Sequence, residues 1–584
     1  MMKATNDTVR QPTVAGHWFL ASMLVFVWFV MTFWRFEAAY LFHGDHERDL
    51  RFATLFVQHG IWPESTPSIS PTPFELGPLL YVVMAPGVLF SPDPLVLQAY
   101  FLLLSAGGFM LLYACWVKRL PAAAAMVGLF ALLGSTFTFE MSRQLWHSSL
   151  LPVFIGGFFF AGERLLRVPT SVPMAIMAAI CAAVSVQLHM AASVYVLLGL
   201  GLIAICRQVA WQGLGVGLLA ATPLLWTNWN IIRSGAAERL SQIGSTSRWA
   251  PAAPSDVFGF FVDNIHMVWG DDIGPLLTWP IVLLVLAGII DGVRRRDAFA
   301  VFLTANLTLG FLVESLLLGN QQAHRYMHAN IWAAFGLVAY GARPALEHIK
   351  PWIWSPIMAG IALVIIGEAA ISDVPRATQR GWLNTREQAQ VATTVADHYP
   401  LPRDDMETRV HGVYFGETMG LGHYHEILEK ADDPPPFSSE AHVLIAPEDL
   451  PIALDGLQVL SERIIDGNER RIRVLAFESR TTDLQLPTGL DSRWRESPHR
   501  KYSPSMHRIE AISTTAAELI LMMSRSRGQH DQCSLAIRQT RTIRYVDVET
   551  PRYPELRLVR FPVKPGPLTI ELGPCPTPRF FDLF

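Results

Sequence analysis

Charge is what this chain has least of. Only 16% of its 584 residues are Asp, Glu, Lys or Arg, against about 25% in an ordinary soluble protein, which argues against a soluble multidomain enzyme. Neither sign dominates. Its 46 basic and 50 acidic side chains leave a net charge of −4, too balanced and slightly too acidic for a nucleic-acid binder. Cysteine is also scarce, five in all, which excludes a small disulfide scaffold. Apolar residues are abundant instead, at 51% with 11% aromatic and a mean hydropathy of +0.29, which excludes disorder. The few charges are unevenly placed. Residues 1–374 hold 41 of the 96, and residues 375–584 hold the other 55. That is about 11% charge in the first part and about 26% in the second, a membrane-like block followed by an ordinary soluble one.

A helical span needs about 20 apolar residues. Such runs lie at roughly 18–35, 95–117, 121–138, 148–166, 171–187, 190–206, 212–232, 277–293, 298–318, 329–345 and 352–371. A further run at 76–90 is nearer the length of an interfacial or re-entrant helix. The positive-inside rule decides whether it crosses. If it does not, and the N-terminus with Lys3 and Arg10 is cytoplasmic, then Lys118/Arg119, Arg164/Arg167, Arg207, Arg294–Arg296 and Arg343/Lys350 all fall inside. If it crosses, all of them fall outside. The rule therefore favours about eleven crossings, with residues 375–584 on the outer face. The first span lacks a small-residue cleavage site and reads as a retained signal-anchor. Cys115, Cys181 and Cys206 lie in spans as small apolar residues, and Cys533 and Cys575 stand in the outer domain, where a disulfide is permitted.

This topology gathers polar residues on the outer side. The first loop carries His43-Gly44-Asp45-His46-Glu47-Arg48-Asp49, then a Pro/Ser stretch, then Phe74-Glu75-Leu76-Gly77-Pro78-Leu79-Leu80-Tyr81. Later loops bring Glu140, Arg143, Trp146 and His147, then Gln187 and His189, then the long 233–276 segment. The last brings His324, Arg325, Tyr326 and His328. Ionisable groups at several span ends on one side point to a shared site near that membrane face. Transfer from a lipid-phosphate donor suits them. A carboxylate such as Asp45 would deprotonate an acceptor hydroxyl, while an Arg neutralises the leaving phosphate. Arg325, followed by Tyr326, is the first choice for that contact and Arg143 the second. Each has a plainer reading: a solvated helix face for residues 45–49, snorkelling for Arg325, a belt anchor for Trp146. No cofactor is required. His43-x-x-His46 lacks a recognisable ligand set, so a divalent metal is the less favoured reading. Glu314 and Glu368, inside spans, read either as relay groups or as buried, partnered carboxylates.

The order of these pieces resembles the C-type (GT-C) membrane glycosyltransferases, in the branch of protein O-mannosyltransferases and the lipid A aminoarabinose transferase. The residues that carry the likeness are Gly44-Asp45-His46-Glu47-Arg48-Asp49 running to His59-Gly60, then Gly77-Pro78-Leu79-Leu80-Tyr81. Arg143-Gln144-Leu145-Trp146 with Pro152, Gln187-Leu188-His189 and His324-Arg325-Tyr326 follow. It spans roughly residues 15–370. The resemblance implies inverting transfer of one sugar, hexosyl or pentosyl, from a polyprenyl-phosphate donor to a glycan, lipid or protein acceptor at the periplasmic face of a bacterial inner membrane. It aligns Asp45 with the family's catalytic acidic residue and Arg325 with the donor-phosphate contact. His46 stands where relatives have Glu, so Glu47 or Asp49 takes the partner role, and Glu140 stands where relatives often have Asp. Arg143, Gln187, His189, His324 and Tyr326 complete the expected donor and substrate contacts.

The expected fold is thus a multi-span α-helical membrane domain, 1–374, with juxtamembrane helices. After it come an outer-face α/β part, 375–490, and a β-sandwich-like part, 491–584. In the outer domain, Thr385–His398 reads as a helix. Val410–Phe415, His442–Ala446, Gln458–Leu460 and Ile472–Phe477 read as strands, followed by Ala517–Met522, Ser534–Arg538, Ile543–Asp547, Leu556–Phe561 and Leu568–Leu572. Trp494, Tyr545 and Tyr553 are candidate glycan-stacking residues, with core aromatics of a structural cap the plainer reading. No nucleophile elbow, Walker loop, CxxC pair or HExxH stands there. Two other function classes compete. A flippase for a lipid-linked sugar would favour paired halves with interrupted helices, and no internal repeat is present. A non-catalytic assembly protein would not need Asp45, Glu140, His189 and Arg325 on one face.

Overall fold

The computed structural model describes residues 14–34, 44–62, 75–206, 210–229, 270–318, 328, 330–347, 360, 385–398, 410–412, 441–448, 452–454, 458–466, 471–478 and 484–485. It also describes the strands between 508 and 583 given below. The chain divides into two compact units, Met1–Arg380 and Gly381–Phe584.

The first unit is helical. Its described helices are α1 (Val14–Trp34), α2 (Gly44–His59), α3 (Leu79–Phe90), α4 (Pro94–Val117), α5 (Ala122–Leu133), α6 (Thr136–Ser142), α7 (Leu151–Arg167), α8 (Val172–Leu188) and α9 (Ser193–Ile205). They continue as α10 (Ala210–Thr227), α11 (Gly270–Arg294), α12 (Ala298–Leu318) and α13 (Ile331–Leu346). Among the described residues, three segments are long and apolar enough to cross a membrane: Gly16–Phe33, Pro94–Val117 and His147–Arg167. The run expected at 352–371 lies outside the described residues, apart from Gly360.

Local signals set the helix ends. Asp93 caps α4, its carboxylate accepting from the Leu95 N–H at 2.8 Å with Pro94 in the first turn, a cap worth about 1 kcal/mol. The single run expected at 121–138 is broken. Helix α5 stops at Gly134, and Ser135 caps the new helix α6 by accepting from the Thr138 N–H at 3.3 Å. Asp297 caps α12 through the Phe299 N–H at 2.9 Å.

Helix association in a membrane rests on close packing, because lipid is as apolar as the side chains. Glycines supply the closeness. A Cβ on Gly108 of α4 would strike the Pro152 backbone of α7, and one on Gly288 of α11 would fall on the Leu337 carbonyl of α13. Trp28, Trp116 and Trp332 are fully buried, with Trp28 edge-on to Phe109 at 4.9 Å.

Contacts between helix ends sort the unit into two poles. At one pole Arg119 follows α4 and pairs with Glu163 of α7 at 2.8 Å, and Arg167 pairs with the same carboxylate at 2.7 Å. Tyr340 of α13 donates to Asp297 at 3.0 Å, and Arg295 and Arg343 bind Glu347 at 2.9 and 2.7 Å. The cationic clusters that follow α4, α7, α11 and α13 therefore share one pole. His17, near the start of α1, contacts the Tyr113 hydroxyl at 3.2 Å, close to the end of α4. So α1 starts at this pole and ends at the other, where α4 begins. The intervening segment leaves from and returns to one pole, and α3 makes no net crossing. At 12 residues α3 spans about 18 Å, short of the hydrocarbon core of about 30 Å. It folds back on α4 through the Tyr100 hydroxyl, which donates to the Val83 carbonyl at 3.0 Å.

The second unit opens with α14 (Thr385–His398), whose Val391, Ala392 and Val395 are buried. A four-stranded sheet follows in the order β1 (Val410–Gly412), β2 (Ala441–Pro447), β5 (Arg471–Glu478), β4 (Gln458–Asp466), with β1 parallel to β2 and the rest antiparallel. Two further sheets carry β6 (Leu484–Gln485), β7 (Arg508–Ser513), β8 (Ala517–Ser524), β9 (Gln532–Gln539), β10 (Thr542–Glu549), β11 (Leu556–Val563), β12 (Gly566–Leu572) and β13 (Phe580–Leu583). Their orders are β10-β9-β12-β7-β6 and β13-β8-β11-β3, where β3 is Ile452–Leu454. Cys533 lies in β9; Cys575, Trp494 and Tyr553 lie outside the described residues, and Tyr545 sits in β10 opposite Ala536.

Candidate active site

Helix α2 follows the first apolar helix and carries Asp45 and Glu47 in its first turn, where the helix dipole favours negative charge. Its buried stripe is His46, Asp49, Leu50 and Ala53, spaced i, i+3, i+4, i+7 as one helix face requires. Asp49 stands one turn after Asp45. It is 1% exposed and accepts from Arg48 Nε at 3.0 Å and Nη2 at 2.9 Å. Across from it, α3 presents Tyr81, fully buried and edge-on to Phe52 of α2 at 5.7 Å. Burial first, and then the Asp49 charge, push the Tyr81 phenol above its ordinary range, with Glu75 adding to the shift. The hydroxyl thus stays protonated beside two carboxylates, as a neutral hydrogen-bond donor.

The segment leading into α3, Glu75-Leu76-Gly77-Pro78, is strapped to the ends of two other helices. Asn228, just past α10, accepts from the Glu75 N–H and donates to the Glu75 carbonyl, both at 2.9 Å. Gln187, in the last turn of α8, lies against Gly77, where a Cβ would fall on its side-chain oxygen. Its amide nitrogen donates to the Ala183 carbonyl at 3.1 Å and the Ala220 carbonyl of α10 at 2.7 Å. Only glycine permits this approach.

Beside Gln187 begins a row of imidazoles. His189 Nδ1 accepts from the Ala191 N–H at 3.3 Å, which in a neutral ring leaves the proton on Nε2. His147 stacks on His189 at 5.8 Å, and His189 meets His328 at 6.0 Å. His328 in turn stacks on Trp332 at 5.7 Å. It is 0% exposed, and neither ring nitrogen has a partner among the described residues. The Tyr195 hydroxyl holds its carbonyl at 2.8 Å. Arg143, buried at the end of α6, lays its guanidinium over the Phe139 ring at 5.4 Å. The preceding turn is fixed by the Gln98 amide, which donates to the Ser142 carbonyl. No group of three metal-ligating side chains occurs among the described residues.

Of the expected site residues, Asp49 and Gln187 are joined through Tyr81 and the strap, and His189 is joined to His147 and His328. Arg143 belongs to the turn that precedes His147. Asp45, Glu47 and Glu140 are placed on α2 and α6. Arg325, Tyr326 and His324 lie outside the described residues, as do His43 and Glu368, while Glu314 stands on α12. Sequence reasoning did not single out Glu75, Tyr81 or Asn228 as site residues. The polar Glu75 inside a Pro-rich stretch and a lone amide closing an apolar run were the available signals.

The helical unit defines a class: a fold like that of the GT-C membrane glycosyltransferases. The chain is similar to the crystal structure of ArnT from Cupriavidus metallidurans bound to undecaprenyl phosphate, with a TM-score of 0.52 and 14% identity over 80% of this chain and 98% of that one. The apo structure of the same protein matches at a TM-score of 0.52 and 14% identity, over 79% and 98% of the two chains. No protein-family model and no curated protein matches the sequence.

Proposed function

We propose that this protein is an integral-membrane glycosyltransferase that moves one sugar from a polyprenyl-phosphate donor to a hydroxyl acceptor at the extracytoplasmic face. The observation that carries the reading is the placement of α2. It is a non-crossing helix just after the first apolar helix, with its buried acid Asp49 against the Gly-Pro-Leu-Leu-Tyr helix and its first-turn acid Asp45 one turn away. The fold is similar to that of ArnT from Cupriavidus metallidurans, whose crystal structure is bound to undecaprenyl phosphate. The pole rich in Arg119, Arg167, Arg295 and Arg343 faces the cytoplasm by the positive-inside rule, which puts the strap and imidazoles on the outer side.

In this reading Asp45 takes the proton of the acceptor hydroxyl as its oxygen attacks the anomeric carbon from the face opposite the phosphate. The bond from that carbon to the phosphate oxygen breaks, the configuration inverts, and polyprenyl phosphate leaves with the electron pair. Arg325 neutralises the leaving group, with Arg143, His324 and Tyr326 in support. Glu47, Asp49 and Glu140 are the acidic partners, and Gln187 and His189 bind substrate. Asp49, already paired with Arg48, holds α2 in place.

Purified protein in lipid, given a panel of polyprenyl-phosphate sugars and acceptors, tests this by release of polyprenyl phosphate. Asp45→Asn should cut release by about 10²–10⁴-fold, the range for a lost general base, with donor binding and thermal stability retained. Equal release from both proteins would remove Asp45 from the mechanism. Donor binding with no release under any acceptor would favour a carrier of the same lipid.

A further inference from the structure

We propose that Asn228 is a positioning residue, and that its reciprocal amide clamp on Glu75 sets the geometry of the acidic cluster from across the fold. The inference rests on the transferase reading and deepens it by naming a residue that touches no substrate. Asn228 lies 153 positions from Glu75 in sequence. It is 4% exposed and spends its whole amide on backbone. Its oxygen takes the Glu75 N–H, and its nitrogen serves the Glu75 and Leu224 carbonyls at 2.9 and 3.0 Å.

A backbone pair bonded in both directions by one amide has no rotational freedom left. The Glu75 Cα is therefore fixed relative to the end of α10. Two residues on, the Gln187–Gly77 contact repeats the restraint from the end of α8. Pro78 then opens α3, whose Tyr81 hydroxyl lies in the field of both Asp49 and Glu75. From Asn228 the path runs along the Glu75 backbone to Pro78, whose carbonyl accepts from the Tyr81 N–H at 3.1 Å, and on to Phe52 of α2, edge-on to Tyr81 at 5.7 Å, on the helix that carries Asp49 and Asp45. A plain structural amide at a helix end would need only its own helix, and the Leu224 carbonyl already supplies that bond.

The test uses the full chain in lipid and two readouts. In the wild type the Glu75 amide should be protected from hydrogen exchange. In Asn228→Ala that protection should be lost while the α10 amides keep theirs. The kcat for polyprenyl-phosphate release should fall about 10²-fold, the size of a misplacement away from the chemistry, with donor KM within twofold. Thr222→Val, on an exposed hydroxyl of α10 that bonds only Leu218, should change neither readout. Unchanged Glu75 protection, or lost protection with wild-type kcat, would overturn the proposal. If Asn228→Ala loosens α10 as a whole, Asn228→Leu decides by the same criteria, since it keeps the bulk and removes both the acceptor for the Glu75 N–H and the donor to the carbonyl. A wild-type chain that releases no polyprenyl phosphate would sink the transferase reading instead, and the exchange result would then judge the clamp by itself.

Discussion

The two poles of the helical unit handle buried polarity in opposite ways. At the ion-pair pole, the fully buried Glu163 is answered by two cations, Arg119 and Arg167, and Asp297 takes the Tyr340 hydroxyl. At the strap pole, Asp49 and Arg143 are buried beside amides, imidazoles and a phenol, and part of the hydrogen-bonding capacity of these neutral groups is unused among the described residues. Both ring nitrogens of His328 lack partners among the described residues, as does the side-chain oxygen of Gln187. A pole whose buried carboxylate is shared by two guanidinium groups is holding helices together. A pole with buried capacity to spare is built for something that arrives.

The comparison can be broken most forcefully at Glu163. Glu163→Ala removes the carboxylate that Arg119 and Arg167 share, leaving Arg119 the longer 4.0 Å contact with Asp297, and loss of one partner of a buried pair costs about 3–5 kcal/mol. Thermal unfolding in lipid should shift strongly downward, while kcat per folded molecule stays at the wild-type value. A fall in kcat without loss of stability would make the ion-pair pole functional and erase the distinction. Gly77→Ala should act the other way round. Its new Cβ meets the Gln187 side chain, an overpacking cost of about 1–3 kcal/mol, and the strain falls on the strap, so release of polyprenyl phosphate should drop more than stability does. The smallest effect is expected at Glu347, whose carboxyl is held below its ordinary value by hydrogen bonds from Arg343 and Arg295. A carboxyl with a lowered folded value adds stability above its ordinary titration range and loses it as pH falls through the folded value. Glu347→Gln should therefore cost about 0.2–1 kcal/mol at neutral pH, and the gap to wild type should close on acidification.

Much of the fold was legible because each signal was local. Among the described residues the apolar runs became helices at nearly the expected places, and the α3 run was demoted from a crossing by charge placement alone, which the His17–Tyr113 contact supports from geometry. In the second unit the expected strand Ile472–Phe477 lies within β5, and Gln458–Leu460 proved to be only the start of β4, which runs on to Asp466. Charged residues Glu462 and Arg463 had disguised that continuation. They alternate across an antiparallel pair, Glu462 opposite Leu475, as a half-exposed strand allows. Short β3 and β6, of three and two residues, carried too few residues to show a period. Ser135 was overlooked as a cap because apolar residues surround it on both sides.

The sequence by itself determined the division into an apolar and a polar half, the non-crossing α3, the asymmetric placement of arginines and the acids at the head of α2. All of these follow from composition, helix length and charge, which one stretch of chain expresses without help. Only the tertiary structure decided that Asp49 is occupied by Arg48 and sits beside Tyr81, that His147, His189 and His328 form one row, and that Glu75 is clamped by Asn228. Apart from Arg48–Asp49, neighbours on α2, those are pairings between segments far apart in sequence, and hydrogen bonds of about 3 Å between such segments arise only once packing has brought the helix ends together.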